Sequence, residues 1–348
     1  MTIRRFLSIC LLATSFAILP GALAADVLRI LAWPGYAEPD IVAEFGRRHG
    51  VRIELSYVTS DDDLWARMSR NNGADFDVFA VNTAELQRYI DHSLAAPINP
   101  AQIRNQANQA ARFRNLSATA ALSRNGHIYA IPYTFSEMGL IYNRKIVKTP
   151  PSSMSVLWDP RYRGRVLAYS GGSQNFSNAA FLMQIKNPFQ LSDDDLTRVA
   201  KRLVDLRRNV LSFYTSPEEA VKLFRDNEIA YVYGNYGMQQ VKKLRAAGAD
   251  VGYVIPPEGA LAWLDCWVVS AGRKSQHLAE TWIDYMLEKN VSQALTEKQG
   301  LANTMAPAAA ATISAGNDHI LWLEPVENVT KRKVLWDRII SGDNLDNY

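Results

Sequence analysis

The sequence predicts an α/β protein, and three observations carry that prediction. Short apolar or alternating segments recur along the chain and are each followed by a helical pattern. Helix starts are marked where they should be, with Ser, Pro and acid clusters just after those segments. The length suits two domains: removing the first 24 of 348 residues leaves 324, against roughly 150 per domain.

The elements follow in order. Residues 1–24 read as a secretory signal, with Arg4 and Arg5 ahead of the apolar run Phe6–Leu19 and an A-x-A site ending at Ala24. That run is too short to span a bilayer, so the mature chain is expected to be exported without membrane insertion. Val27–Ala32 is a strand ending in the turn Trp33–Pro34–Gly35–Tyr36. A helix starts at Glu38–Pro39–Asp40 and closes by Gly50, and Val51–Tyr57 alternates as a second strand. Ser60 with Asp61, Asp62 and Asp63 caps the next helix; the triple Asp lacks the ligand spacing of a calcium loop. Phe76–Val81 is a buried parallel strand followed by Asn82–Thr83 and another helix.

Ile128–Tyr133 and Leu140–Asn143 bracket Thr134–Gly139, a crossing between two halves. In the second half Arg165–Tyr169 is a strand followed by the polar loop Ser170–Asn175. Ser192 caps a helix with the stripe Leu196, Val199, Leu203 and Leu206. Ile229–Tyr233 is a strand ending in Gly234–Asn235–Tyr236, and Leu278, Trp282, Tyr285 and Met286 mark a core helix face. Ala306–Ile313 and 325–341 read as terminal helices.

Composition narrows the function. The net charge of +3 falls to +1 once Arg4 and Arg5 are removed with an acid-free leader, which gives no basis for nucleic-acid binding. Cys266 is the single cysteine after the leader, so no disulfide can form within the mature chain. The five histidines are scattered, with no metal spacing, and no nucleophile elbow, Walker loop or dinucleotide fingerprint occurs. Neither catalysis, a cofactor nor a bound metal is expected.

The segment Ile255–Val269 holds the chemistry. Alternation along its strand puts Trp263, Asp265 and Trp267 on one face, a carboxylate between two indoles. An unpaired buried charge costs several kcal/mol, so Asp265 must have a cationic partner, exposure to water or a raised pKa; the two readings are a structural Asp paired with an Arg or Lys of the protein and a site for a cationic ligand. In open α/β sheets ligands collect beyond strand ends. Here those ends are Trp33–Tyr36, Asn82–Thr83, Ser170–Asn175, Gly234–Tyr236 and the Trp263/Asp265 strand, a mixture suited to a small organic solute. Tyr231, Tyr233 and Tyr236 raise the alternative of phenolate ligation to ferric iron.

Several motifs are similar to a known family: Trp33-x-x-Tyr36 with Pro39–Asp40, Phe76–Asp77, Ile131–Pro132–Tyr133, Gly139-x-x-Tyr142–Asn143, Leu157–Trp158–Asp159–Pro160, and Ile255–Pro256-x-Glu258–Gly259 before Trp263-x-Asp265. In order and spacing the chain resembles the periplasmic solute-binding proteins of ABC importers, specifically the putrescine- and spermidine-binding group. The resemblance implies a type II two-lobe fold: an N-terminal lobe of 25–133 plus 260–303 and a C-terminal lobe of 134–259 plus 304–348. It also implies a cleft that closes on its ligand, a periplasmic monomer, and delivery to an inner-membrane permease and its ATPase. By that resemblance Asp265 holds an ammonium while Trp33, Tyr36 and Trp263 line the methylene chain. The strand-end residues Asn82, Thr83, Asn175 and Asn235 complete the expected ligand set.

The chain departs from the polyamine carriers at Gly35, Gly172, Asn175 and Met238, where they carry acids. It departs again at Asn235 and near Leu301, where they carry aromatics. The expectation is therefore a one-ended pocket for an amine with a neutral tail, unless Glu137 in the crossing segment supplies a second carboxylate. A carrier of an amino acid or other organic solute is the alternative within the class.

Overall fold

A computed structural model describes residues 26–116, 120–305 and 319–342; the expected leader at 1–24 and the helix expected at Ala306–Ile313 lie outside them. Helices cover two principal β-sheets. The first has the order Ala302–Asn303, Ala130–Glu137, Ala260–Ser270, Val78–Asn82, Val27–Ala32, Arg52–Tyr57. Its last three strands are parallel, whereas Ala260–Ser270 runs antiparallel to both of its neighbours. The second sheet has the order Val210–Tyr214, Val166–Tyr169, Tyr231–Gly234, Gly139–Asn143, Val251–Val254. Both sheets are mixed, and the apolar strands between helical layers are almost fully buried.

The helices begin where local chemistry dictates. Ser60 accepts the amide of Asp63 at 3.0 Å, Asn82 accepts that of Ala84 at 2.8 Å, and Ser192 accepts that of Asp195 at 3.2 Å. The helix Pro39–His49 ends at Gly50 in the left-handed region, as a helix stop requires. Leu196, Val199, Leu203 and Leu206 are buried.

Four expectations change. The stretch 170–175 is not a loop throughout, because the helix Gly172–Leu182 begins inside it. Val210–Tyr214 is an additional strand; its partly exposed, mixed composition hides it beside the long helix Asp193–Asn209. Thr134–Glu137, assigned by sequence to the second lobe, pair with Ala262–Asp265 in the first sheet. The chain therefore leaves that sheet at Met138 and enters the second at Gly139. Ile320–Trp322, also assigned to the second lobe, pair with Ala260–Ala262 in the first sheet.

Candidate functional site

A cavity of about 190 Å³ opens between the ends of the two sheets. From the first sheet it receives Trp33, Tyr36, Val58, Thr59, Asp61 and Asn82, which follow or end the three parallel strands. From the second it receives Tyr169, Thr215, Asn235 and Tyr236, again at or just beyond strand ends. Gln174 and Gln239 reach in from helices. Ala260–Ser270 runs the other way, so the early part of that strand reaches the same mouth. Its register sets Asp265 opposite Asn82 on one side and Thr134 on the other.

Asp265 is 5 % exposed and faces this cavity. The donor it has is a phenol: Tyr36 Oη–H donates to its Oδ2 at 2.6 Å. Among the described residues no guanidinium, ammonium or imidazolium pairs with it or lines the cavity. Burial pushes the Asp265 carboxyl up to about 7; the Tyr36 bond opposes that rise and the charge of Asp61 adds to it. Tyr36 is itself pushed well above its ordinary value, by burial and by the Asp265 charge. The pair therefore stays a phenol donating to a carboxyl group.

The walls are aromatic. Trp263 donates its indole N–H to the Asn235 carbonyl at 2.8 Å, a link from the first sheet to the second. Tyr169 and Tyr236 meet edge to face at 5.7 Å, and Tyr236 donates to the Thr215 carbonyl at 2.6 Å. Such rings present electron-rich faces to a cation and apolar area to a methylene chain.

Six of the eight sequence-selected residues line the cavity: Trp33, Tyr36, Asn82, Asn235, Trp263 and Asp265. Thr83 and Asn175 do not. Thr83 is buried in the first turn of its helix. Asn175 turns inward, and its amide donates to the carbonyls of Tyr169 at 2.6 Å and Gly171 at 2.9 Å. Trp267 shares no part of the cavity; it is fully buried, 5.3 Å from Tyr133 and 5.9 Å from Trp282. Asp265 thus has one indole beside it from its own strand. Glu137 lies in a different cavity of about 440 Å³ with Lys242 and Arg245. The three tyrosines considered for iron do not converge, since Tyr231 packs on Tyr162 and Tyr233 donates to the sulfur of Met138.

Gly35 explains one departure from the polyamine carriers. It sits at φ +88°, and a Cβ there would come within 2.7 Å of Gln239 Nε2 and 3.0 Å of Gln299 Oε1. Two neutral amides occupy the space a side chain at position 35 would need.

Sequence reasoning missed Asp61, Gln239 and Thr215–Pro217, and reached Gln174 only as part of the stretch Ser170–Asn175. Asp61 was absorbed into a capping motif, which it does belong to. It also stands just beyond the end of the strand Arg52–Tyr57, at the mouth of the cavity. Gln174 donates to Asp61 Oδ2 at 3.1 Å, joining the helix behind the second sheet to the first-sheet wall. Burial lifts the Asp61 carboxyl to about 6, against the Gln174 bond and with the help of Asp62. The cavity lining thus includes a second carboxylate besides Asp265, which the expectation of a single acidic end did not count.

The chain belongs to the bacterial extracellular solute-binding protein family, whose model matches residues 40–320. Among its relatives is spermidine/putrescine-binding periplasmic protein 1 of Haemophilus influenzae, 22% identical over 79% of this chain and 74% of that protein. The putrescine/cadaverine-binding protein of Pseudomonas aeruginosa is 24% identical over 86% of this chain and 85% of its own. In three dimensions the chain is similar to the spermidine/putrescine ABC transporter substrate-binding protein of Streptococcus pneumoniae, with a TM-score of 0.71 and 19% identity. That match covers 90% of this chain and 98% of the other. Among the described residues no helix is long and apolar enough to cross a membrane.

Proposed function

We propose that this protein is the periplasmic substrate-binding component of an ABC importer, and that its cavity takes a polyamine or a related small amine cation. The observation that carries the reading is Asp265: a buried carboxylate facing a cavity, walled by Trp33, Trp263 and Tyr169, and offered a phenol in place of a cation. An incoming ammonium supplies the missing positive charge, and the rings cover its carbon chain. The names of the relatives point to the same ligand class. A ligand carboxylate would meet no cation among the described residues of this cavity and would face the charges of Asp61 and Asp265.

The two sheets and the chain crossings at Met138 and 255–259 support two lobes that close on the ligand as a hinge. In this reading residues 1–24 direct export, the protein acts as a monomer without chemistry of its own, and the closed form delivers its cargo to an inner-membrane permease and its ATPase. Titration calorimetry with putrescine, spermidine and monoamines at pH 8 tests the assignment. Saturable amine binding that Asp265→Asn weakens about tenfold or more is the expected result. Absence of binding by every amine would overturn it.

A further inference from the structure

The cavity contains more negative charge than one ammonium can neutralise. Asp61 lines it together with Asp265. Like Asp265, it has no ion-pair partner among the described residues; its donor is the neutral amide of Gln174. Arg88, whose charge acts on Asp61 without forming an ion pair with it, lies 3.6 Å above the Trp65 ring and 3.7 Å from Glu85. The two carboxylates share the cavity with the rings of Tyr169 and Tyr236. Tyr169 lines the same cavity as both carboxylates, and burial and their charges raise its phenol. Tyr236 stands edge-on to that ring.

We propose that Asp61 is the second anionic anchor of this cavity, so that the preferred ligand carries two ammonium groups joined by an apolar chain lying along Tyr169. The inference rests on the amine reading above and adds the residue that reads the second charge. A carboxylate has two oxygens and about four acceptor positions. Asp61 can therefore keep the Gln174 bond on Oδ2 and receive an ammonium on Oδ1. A monoamine held at Asp265 leaves the partly buried Asp61 charge unneutralised, whereas a diamine neutralises both. Because Gln174 belongs to the second sheet's helix, the bond that orients Asp61 also spans the cleft.

The test is a calorimetric series of α,ω-diamines of three to six carbons at pH 8, each against the monoamine of equal length. It uses the wild type, Asp61→Asn and Asp265→Asn, with a thermal melt of each variant to confirm folding. The wild type should prefer its best diamine over the matching monoamine by about tenfold or more. Asp61→Asn should erase that preference while leaving monoamine affinity within about twofold. Equal binding of mono- and diamines by the wild type overturns this inference alone. So does an Asp61→Asn variant that keeps the preference or weakens both ligands equally. Failure of all amines to bind overturns the parent reading as well.

Discussion

Two aspartates at opposite ends of one pair of strands show what distinguishes a structural carboxylate from a receptive one. Asp77 stands just before Val78–Asn82, and Asp265 pairs with Asn82 at its far end. Both are almost completely buried, 1 % and 5 % exposed. Asp77 receives the Arg29 guanidinium at 2.9 and 2.7 Å, and the backbone amides of Arg29 and Lys274 at 2.9 and 2.6 Å. Burial pushes its carboxyl up, but that guanidinium and those amides outweigh it and hold it below the usual range. Asp265 has a phenol alone, so burial wins and it rises to about 7. Both side chains are shut off from solvent, but Asp265 lies deeper in the protein, and its greater burial and its lack of a cationic partner together leave its charge unsatisfied.

The comparison can be broken most forcefully at Asp77. Asp77→Asn leaves Arg29 without its counter-charge and should cost about 3–5 kcal/mol in urea unfolding, with amine affinity per folded molecule unchanged. A loss of under 1 kcal/mol would show that the Arg29 pair is dispensable.

Asp265→Asn should do the reverse. An Asn keeps an acceptor for Tyr36 and removes a desolvated charge. For Asp265 the folded value lies above the unfolded value of about 3.9, so the folded protein loses stability as pH rises from about 4 to 7 and recovers none of it above. The variant should therefore be more stable than wild type by roughly 1–3 kcal/mol at pH 8 in the ligand-free state, a gain that vanishes toward pH 4. A destabilised variant at pH 8 would place Asp265 with Asp77 as a structural group.

The same shift sets the pH dependence of binding. An ammonium needs the ionised carboxylate, so amine affinity should be flat above pH 8. It should fall about tenfold per unit below about 7 while Asp265 alone titrates, and more steeply for diamines once Asp61 also protonates near 6. A flat calorimetric profile from pH 8 to 5 would separate binding from both groups. The smallest effect is expected of Tyr36→Phe. Without the phenol the Asp265 carboxyl rises further, so the midpoint of that profile should move up and affinity at pH 7 should drop about twofold to tenfold. An unmoved midpoint would show that the Tyr36 bond does not tune the carboxyl.

Much of this was legible because it is local. Ser60, Asn82 and Ser192 cap helices through atoms within three residues of one another, and the strand segments carry their burial in their own hydrophobic pattern. The motif Trp263-x-Asp265 marked the cavity strand because a carboxylate between aromatics is hard to explain as core. Three features escaped for one reason: they depend on which chain segments become neighbours. Asn175 and Gln174 are adjacent in sequence, and only the helix starting at Gly172 turns one inward to Tyr169 and the other outward to Asp61. Thr215–Pro217 enter the cavity through a strand whose mixed pattern concealed it. Trp267 shares the parity of Asp265, yet its depth along the strand carries it into the core.

The sequence by itself determined the α/β class, the order of elements, most of the aromatic wall and the principal carboxylate, since periodicity, capping and turn chemistry act over a few residues. Tertiary structure decided the charge balance of the cavity. Asp61 and Asp265 lie two hundred residues apart, and only the parallel ends of one sheet, closed by an antiparallel strand, bring both to the same mouth. Electrostatic partnership depends on distance through space, and that distance is set when the sheets assemble.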